Sequence, residues 1–352
     1  MRSKVFRGLE SCVIRVAFII ESEHSAAARY RVLLNMDAFE REGVDIYPML
    51  LPRTLRGRRK MFSDLEAFDA VVLQRRLIQP WEFWMLRRRV RVLGYDFDDA
   101  MAYRDAADEA FLSISRQIKF RVIARGVDFI TAGNSNLAGL TGRNEQTVSI
   151  VPTPADTDAY TPAATRAPGP VQIGWIGSKT TIRYLDAVLG AIERVAAARP
   201  GVTLTVIADV APPERPFIRA TRWQAETEAA DVAAFDIGIM PVPDNPWTRG
   251  KCGFKLLLYG ACGLPSVASP VGANCEIIDE GETGLFASGS DEWEKTLLDL
   301  VDDADLRKRL GESARHKVEA EYSTKAVIPA WAETLKRMAG GDLARAARAV
   351  SH

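Results

Sequence analysis

The sequence predicts an α/β protein built as two doubly wound halves that face each other across a cleft. Three observations carry that expectation. Short β-rich runs alternate with helical stretches along both halves, a proline-rich break divides the chain near residues 152–170, and the β-rich runs are near-continuously apolar. Such a run suits a strand with helices over both faces of its sheet, as in a parallel sheet.

In chain order, "VIRVAFII" (13–20), "DIYPMLL" (45–51), "DAVVLQ" (69–74), "VRVLGYDFD" (90–98), "DFITAG" (128–133) and "TVSIVP" (147–152) read as strands of the first half. Between the first two, "ARYRVLLNMDAFEREG" reads as a helix that stops at Gly43, where a C-cap favours a left-handed residue. The stretch "PTPADTDAYTPAATRAPGP" (152–170) contains five prolines and few large apolar residues, so it reads as a linker. Strands resume at "VQIGWIG" (171–177), "VTLTVIAD" (202–209), "FDIGIMP" (235–241), "PSVASP" (265–270) and "TGLFAS" (283–288). "LDAVLGAIERVAAA" (185–198) sets Leu185, Val188, Leu189, Ile192 and Val195 on one helical face. Asp291, three residues before Glu294, reads as a helix start. The expected domains are 12–160 and 170–324, followed by a final helix at 325–340.

Composition narrows the function classes. With 46 Lys+Arg against 46 Asp+Glu, no global field favours nucleic acid. Hydrophobic content of 47% and charged content of 26% are those of a soluble globular protein. "VAFII" is too short to span a bilayer, and the basic start lacks the apolar core of a signal peptide, so the cytoplasm is the expected place. Cys12, Cys252, Cys262 and Cys275 lack metal-ligand spacing and read as free thiols.

The chemistry concentrates in "RGKCGFKLLLYGACGLPSVASPVG" (249–272), just past the strand "FDIGIMP". Ligands of open α/β sheets bind outside the carboxyl ends of the strands. A helix starting near Gly253 leaves its first N–H groups without carbonyl partners, a partial positive charge that favours anions. Lys251 stands before that end and Lys255 in its first turn, where a cation opposes the helix dipole unless an anion is bound. Gly250 and Gly253 permit close approach or unusual φ. Together these describe a phosphate cradle; the plainer alternative is a solvated basic loop ahead of a core helix. Ser178, Lys179 and Arg183 follow the strand "VQIGWIG" at a second strand–turn–helix junction. A diphosphate fits two such helix starts better than a single phosphate does.

These residues resemble the retaining family 4 glycosyltransferases of GT-B fold, over nearly the whole chain and most specifically over 147–323. The likeness is carried by "VPTPADTDAYTP", "IGWIGSKTTIRYL", "KCGFKLLLYGACGLPSVASPVGANCEII", "GETGLFA" and "LRKRLGESARHKVEAEYS", with "ARYRVL" and "YDFDDAM" in the first half. It implies two Rossmann-like domains, an N-terminal acceptor domain braced by the last helix and a C-terminal donor domain. It implies sugar transfer from a nucleotide-diphosphate-sugar donor to a glycan, lipid-linked or small-molecule acceptor, with retention and without a metal or cofactor. By position, Ser178, Lys179 and Arg183 fall on donor-phosphate contacts, and Lys251, Gly253 and Lys255 face the diphosphate and sugar. Asp209 is a candidate for the nucleoside end. The family's two glutamates, eight positions apart, fall on Gly250 and Leu258, which carry no carboxylate. Asp244, in a longer preceding loop, is an alternative contact for the sugar hydroxyls. In such a reaction Lys251 and Lys255, with Arg183, would stabilise the departing diphosphate. His24 could touch the donor sugar or accept a proton, or be an exposed loop histidine. Arg29 and Arg31 could meet an anionic acceptor or lie on a solvated helix face.

Other signals have ordinary alternatives. Asp96, Asp98 and Asp99 match an Asp-x-Asp metal pattern, but a carboxylate cluster that lines the cleft or orders its loop is the favoured reading. "LPRTLRGRRK" (51–60) and "QRRLIQPWEFWMLRRRVRV" (74–92) could seat the protein on the anionic inner face of a membrane; a core-packing helix with a charged outer face is favoured. The alternative in function is a non-catalytic GT-B partner subunit binding nucleotide or glycan; an epimerase is disfavoured by the lack of an acid/base set.

Overall fold

The computed structural model describes residues 13–106, 110–164 and 169–340. In chain order the first domain contains β1 (Ile14–Ile20), α1 (Ala26–Arg31), α2 (Met36–Arg41), β2 (Val44–Leu50), α3 (Leu55–Asp64) and β3 (Ala70–Gln74). It continues with α4 (Pro80–Arg87), β4 (Leu93–Phe97), α5 (Ile114–Gly126), β5 (Phe129–Ala132), α6 (Ser135–Leu140) and β6 (Val148–Ile150). The strands pair in parallel in the order β2-β1-β3-β4-β5-β6. The second domain runs β7 (Gln172–Gly177), α7 (Leu189–Ala198), β8 (Thr203–Ala208), β9 (Ile218–Arg222), α8 (Glu228–Ala233) and β10 (Ile237–Met240). Then come α9 (Phe254–Ala261), β11 (Ser266–Ala268), α10 (Asn274–Ile277), β12 (Leu285–Phe286), α11 (Ser290–Asp302), α12 (Ala304–Lys317) and α13 (Thr324–Gly340). Its sheet is also parallel, ordered β12-β11-β10-β7-β8-β9. Two six-stranded doubly wound sheets among the described residues are the GT-B architecture.

Each sheet is buried on both faces, which is why its strands read as apolar runs. In the first domain, Phe62, Phe83 and Phe120 from α3, α4 and α5 cover one face together with Tyr95 and Phe97. Phe18 and Phe39 pack with Trp331 of α13 on the other. The final helix thus returns to the first domain. The linker's front half is docked rather than slack: Ala155 donates to the Tyr322 carbonyl at 2.8 Å and accepts from the Thr324 N–H at 3.0 Å. Trp331 is fully buried, with ring contacts at 5.9 Å to Phe18 and 5.3 Å to Phe39. Trp331→Ala is expected to lower stability by about 3–5 kcal/mol, read by denaturant unfolding.

Four local expectations need correction. Helix 28–43 is broken into α1, a 3-10 turn at Leu33–Asn35 and α2. The Asn35 amide donates to the Tyr30 carbonyl at 2.8 Å and so caps α1 from inside the run. Helix 185–198 is likewise split into a 3-10 turn at Ile182–Ala187 and α7. Strand β9 went unseen because "IRATR" is a partly exposed edge strand with little apolar content. Asp291 is not a cap; α11 starts one residue earlier, at Ser290, behind Gly289. Gly43 does end α2, at φ 71°. Cys252 and Cys275 are free thiols, and Cys12 and the N-terminal segment lie outside the described residues. No helix among the described residues is long and apolar enough to cross a membrane.

Candidate functional site

The carboxyl ends of the two sheets point at one another, and the loops leaving them meet. Arg75 follows β3, Asp98 and Asp99 follow β4, and Asn134 follows β5; from the other side comes the loop 243–253 after β10. The Asn134 amide donates to the carbonyls of Gly250 at 3.3 Å and Lys251 at 3.0 Å, while its oxygen caps α6 through the Leu137 N–H at 2.8 Å. The Cys252 thiol donates to the Asp98 carbonyl at 3.1 Å. A Cβ on Gly250 would stand 2.6 Å from the Ala100 Cβ and 2.8 Å from its nitrogen, so the cross-domain seam needs glycine there. That is a steric reason for the absent carboxylate at 250. Leu258, the other slot, is buried in the second domain's core.

Gly253 stands at the N-cap of α9 with φ 62°, the left-handed conformation that admits glycine at least cost. This turn brings both lysines to the open end of α9. The Lys251 ammonium lies 3.4 Å from Asp99 and 5.3 Å from the Trp247 ring. Burial pulls its pKa down, but the negative field led by Asp99 outweighs that and holds it above the ordinary lysine value. Lys255 is different. Its ammonium rests 5.3 Å from the Trp175 ring, and no hydrogen bond or ion pair holds it among the described residues. Burial first, then the charge of Lys251, push it down to about 7, with Asp99 only partly opposing. A half-buried cation without a close counter-ion, at a helix start, is a site an anion would complete.

The second predicted junction is less regular than expected. After β7 the chain makes a tight turn, with the Ser178 carbonyl accepting from Thr181 and Ile182 at 2.9 and 3.0 Å, into a 3-10 turn rather than an α-helix start. Asp209 accepts from the Lys179 N–H at 2.7 Å and so fixes this turn. Ser178, Lys179 and Asp209 are exposed together. Arg183 reaches across the cleft to Asp105, beside Tyr184. These groups, with Pro243–Pro246 and Arg249, wall a cavity of 500 Å³. Asp244 lines it, but Arg249 holds its carboxylate with bonds of 2.6 and 2.9 Å and keeps its pKa below the usual range. The negative charge of Asp105 adds to that of Asp99 in holding the Lys251 pKa up.

A cross-domain cluster flanks the other side of α9. Glu228, nearly fully buried, accepts from the Tyr30 hydroxyl at 2.6 Å and lies 3.4 Å from Arg29. The Tyr30 ring packs 4.5 Å from Phe254, the first residue of α9, and Arg29 lies over Trp223. Arg29 is thus tied to a buried carboxylate that nothing in "TEAADVAA" signals. His24 is exposed in the β1–α1 turn, where its backbone N–H donates to Ser22 Oγ at 3.1 Å. Arg31 is no surface cation: it is fully buried, with bonds of 2.6 and 3.1 Å to Asp96. Asp96 also accepts from Gln74 and Thr131. Asp98 and Asp99 meet Arg75 at 3.2 and 2.8 Å. Among the described residues no group of three His, Cys, Asp or Glu side chains is placed to hold a metal ion.

Residues 170–303 match the family model described as glycosyl transferases group 1. That match lies over the half of the chain that bears both lysines. Glycogen synthase of Mycobacterium tuberculosis is 24% identical over 217 residues, covering 57% of this chain and 51% of that protein. The chain therefore spans about half the length of the curated relatives it matches first. Sucrose-phosphate synthase from Thermosynechococcus elongatus has the same fold, with a TM-score of 0.74 at 14% identity over 92% of this chain and 99% of that one. Anabaena HepE, solved in complex with UDP-glucose, gives 0.67 at 13% identity with the same coverage.

Proposed function

We propose that the protein transfers a sugar from a nucleotide-diphosphate sugar to a glycan, lipid-linked or small-molecule acceptor, with retention at the anomeric carbon and without a metal. The observation that carries this reading is the uncompensated Lys255 beside Lys251 at the glycine-headed start of α9, where the two sheets' carboxyl ends converge. As the glycosidic bond loosens, negative charge grows on the departing diphosphate. Lys251, Lys255 and the α9 amides would meet that charge more strongly in the transition state than in the ground state. Arg183, which lines the 500 Å³ cavity and pairs with Asp105, would contact the outer phosphate or the acceptor once released from Asp105. The group 1 match over the second domain and the UDP-glucose bound by a structural neighbour support a nucleotide-sugar donor.

The absence of carboxylates at Gly250 and Leu258 favours a second reading, a non-catalytic subunit that binds nucleotide or glycan. One experiment separates the two. Thermal shifts with UDP, GDP and ADP, followed by donor hydrolysis with the matching sugars, are expected to show stabilisation by one diphosphate and slow turnover that survives EDTA. At a hundredfold excess over Kd the stabilisation is about 2.7 kcal/mol. Binding without turnover, with acceptors present, would establish the subunit; no stabilisation by any diphosphate would remove the transferase reading and leave of the second only a subunit that binds glycan.

A further inference from the structure

Helices α3, α4 and α5 form one layer over the first domain's sheet, and their outward faces share an unusual character. Along α4 and its C-cap, Trp81, Trp84 and Arg88 stand at i, i+3 and i+7, and the two indoles are 54% and 48% exposed. On α5, Ile114, Ile118, Arg121 and Arg125 make a second outward stripe, with Ile114 80% exposed and Leu112 just before it at 73%. On α3, exposed Leu55 is followed by exposed Arg56, Arg59 and Lys60. Helix α5 contains no acidic residue, and the acids of α3 and α4 are Asp64 and Glu82, the latter buried against Arg58. In a chain with no net charge this is a segregated basic face.

Its placement matters as much as its composition. In a parallel sheet each following helix begins at the carboxyl end of its strand. The first turns of α3, α4 and α5, with Leu55, Trp81 and Ile114, therefore line the same edge as the cleft. Phe111, in the loop entering α5, itself lines the 500 Å³ cavity beside Arg183. The exposed apolar residues thus crowd the first domain's lip of the site.

We propose that this lip is a docking surface for an anionic lipid bilayer, which would present a lipid-linked acceptor to the cleft. The docking surface stands on its own; only the acceptor's delivery rests on the transferase reading. Indoles and cations side by side suit the headgroup zone, where the rings settle at the interface and Arg and Lys meet lipid phosphates. The aliphatic Leu55, Leu112 and Ile114 argue for lipid over nucleic acid, because they have no π-face for a base to stack on. Arg56, Arg59, Lys60, Arg88, Arg121 and Arg125 have no ion pair among the described residues, so an anionic surface is their available counter-charge.

Vesicle co-sedimentation of the full chain tests this. Partition onto phosphatidylglycerol–phosphatidylcholine vesicles is expected to exceed that onto phosphatidylcholine alone by at least tenfold and to weaken with salt. Arg56→Gln, Arg59→Gln and Lys60→Gln combined should lower it by roughly a hundredfold, at about 1 kcal/mol per cation. Trp81→Ala with Trp84→Ala should lower it at high salt too. These positions are outward-facing, so unchanged thermal midpoints and diphosphate shifts would show that the fold and donor site are intact. Equal binding to neutral vesicles, no binding at all, or preferential retention on RNA or DNA overturns the proposal, even where diphosphate binding and transfer are intact.

Discussion

Replacing Lys255 with methionine is expected to raise the thermal midpoint of the ligand-free protein while lowering sugar transfer by on the order of a hundredfold or more. Both effects have one cause. In the folded chain Lys255 titrates near 7, against 10.5 for an ordinary lysine, because burial and Lys251 disfavour its charged form. The folded state therefore binds fewer protons at this site than the unfolded state between about pH 7 and 10.5, and stability rises with pH across that window. Below pH 7 the full cost is present. Methionine removes the cost, so the gain in midpoint should be largest near neutral pH and fade toward pH 10.5. A bound diphosphate reverses the electrostatics by raising the Lys255 pKa. Titration calorimetry at pH 8 in buffers of different ionisation enthalpy should then show uptake of about one proton with the wild type and none with Lys255→Met. A variant that neither gains stability nor loses diphosphate affinity would remove Lys255 from the site.

Asp96→Ala is expected to cost about 3–5 kcal/mol of stability, because it leaves a buried guanidinium without its carboxylate. Arg31 sits in the first domain's interior, held by Asp96, by the Val151 carbonyl at 2.9 Å and by Thr153 at 3.2 Å, with the Trp331 ring 4.9 Å away. The paired change Arg31→Met with Asp96→Leu removes both charges and is expected to recover most of the loss, since replacing both members of a buried pair is often near neutral. Denaturant unfolding of the two single variants and the double provides the cycle. Diphosphate binding by the double variant should be retained. If Asp96→Ala were instead stable and its only defect were lost metal-dependent activity, the structural assignment of this carboxylate would be wrong.

Much of this was readable in one dimension. The apolar runs located eleven strands because burial on both faces leaves a contiguous imprint, and β9 escaped because an edge strand does not need one. The lysine–glycine loop was legible for a similar reason: Gly253, Lys251 and Lys255 are neighbours in sequence, and a helix start is a local event. The reading of 28–43 as one helix failed because periodicity does not reveal that Asn35 turns its amide back onto Tyr30. The aspartates after β4 were seen as a group, yet they have separate duties: Asp96 neutralises Arg31 in the core, while Asp99 balances Lys251 at the cleft.

The sequence by itself determined two doubly wound halves, the proline-rich break between them and a cationic helix start beyond the strand "FDIGIMP". Only the tertiary structure decided which charges are neutralised. Arg31 meets Asp96 across 65 residues, Lys251 meets Asp99 across 152, Tyr30 meets Glu228 across 198, and Lys255 has no ion pair with a carboxylate among the described residues. Strand and helix patterns arise from neighbours along the chain. A side chain's charge balance depends on whatever the fold brings within a few ångströms, and sequence spacing does not encode that distance.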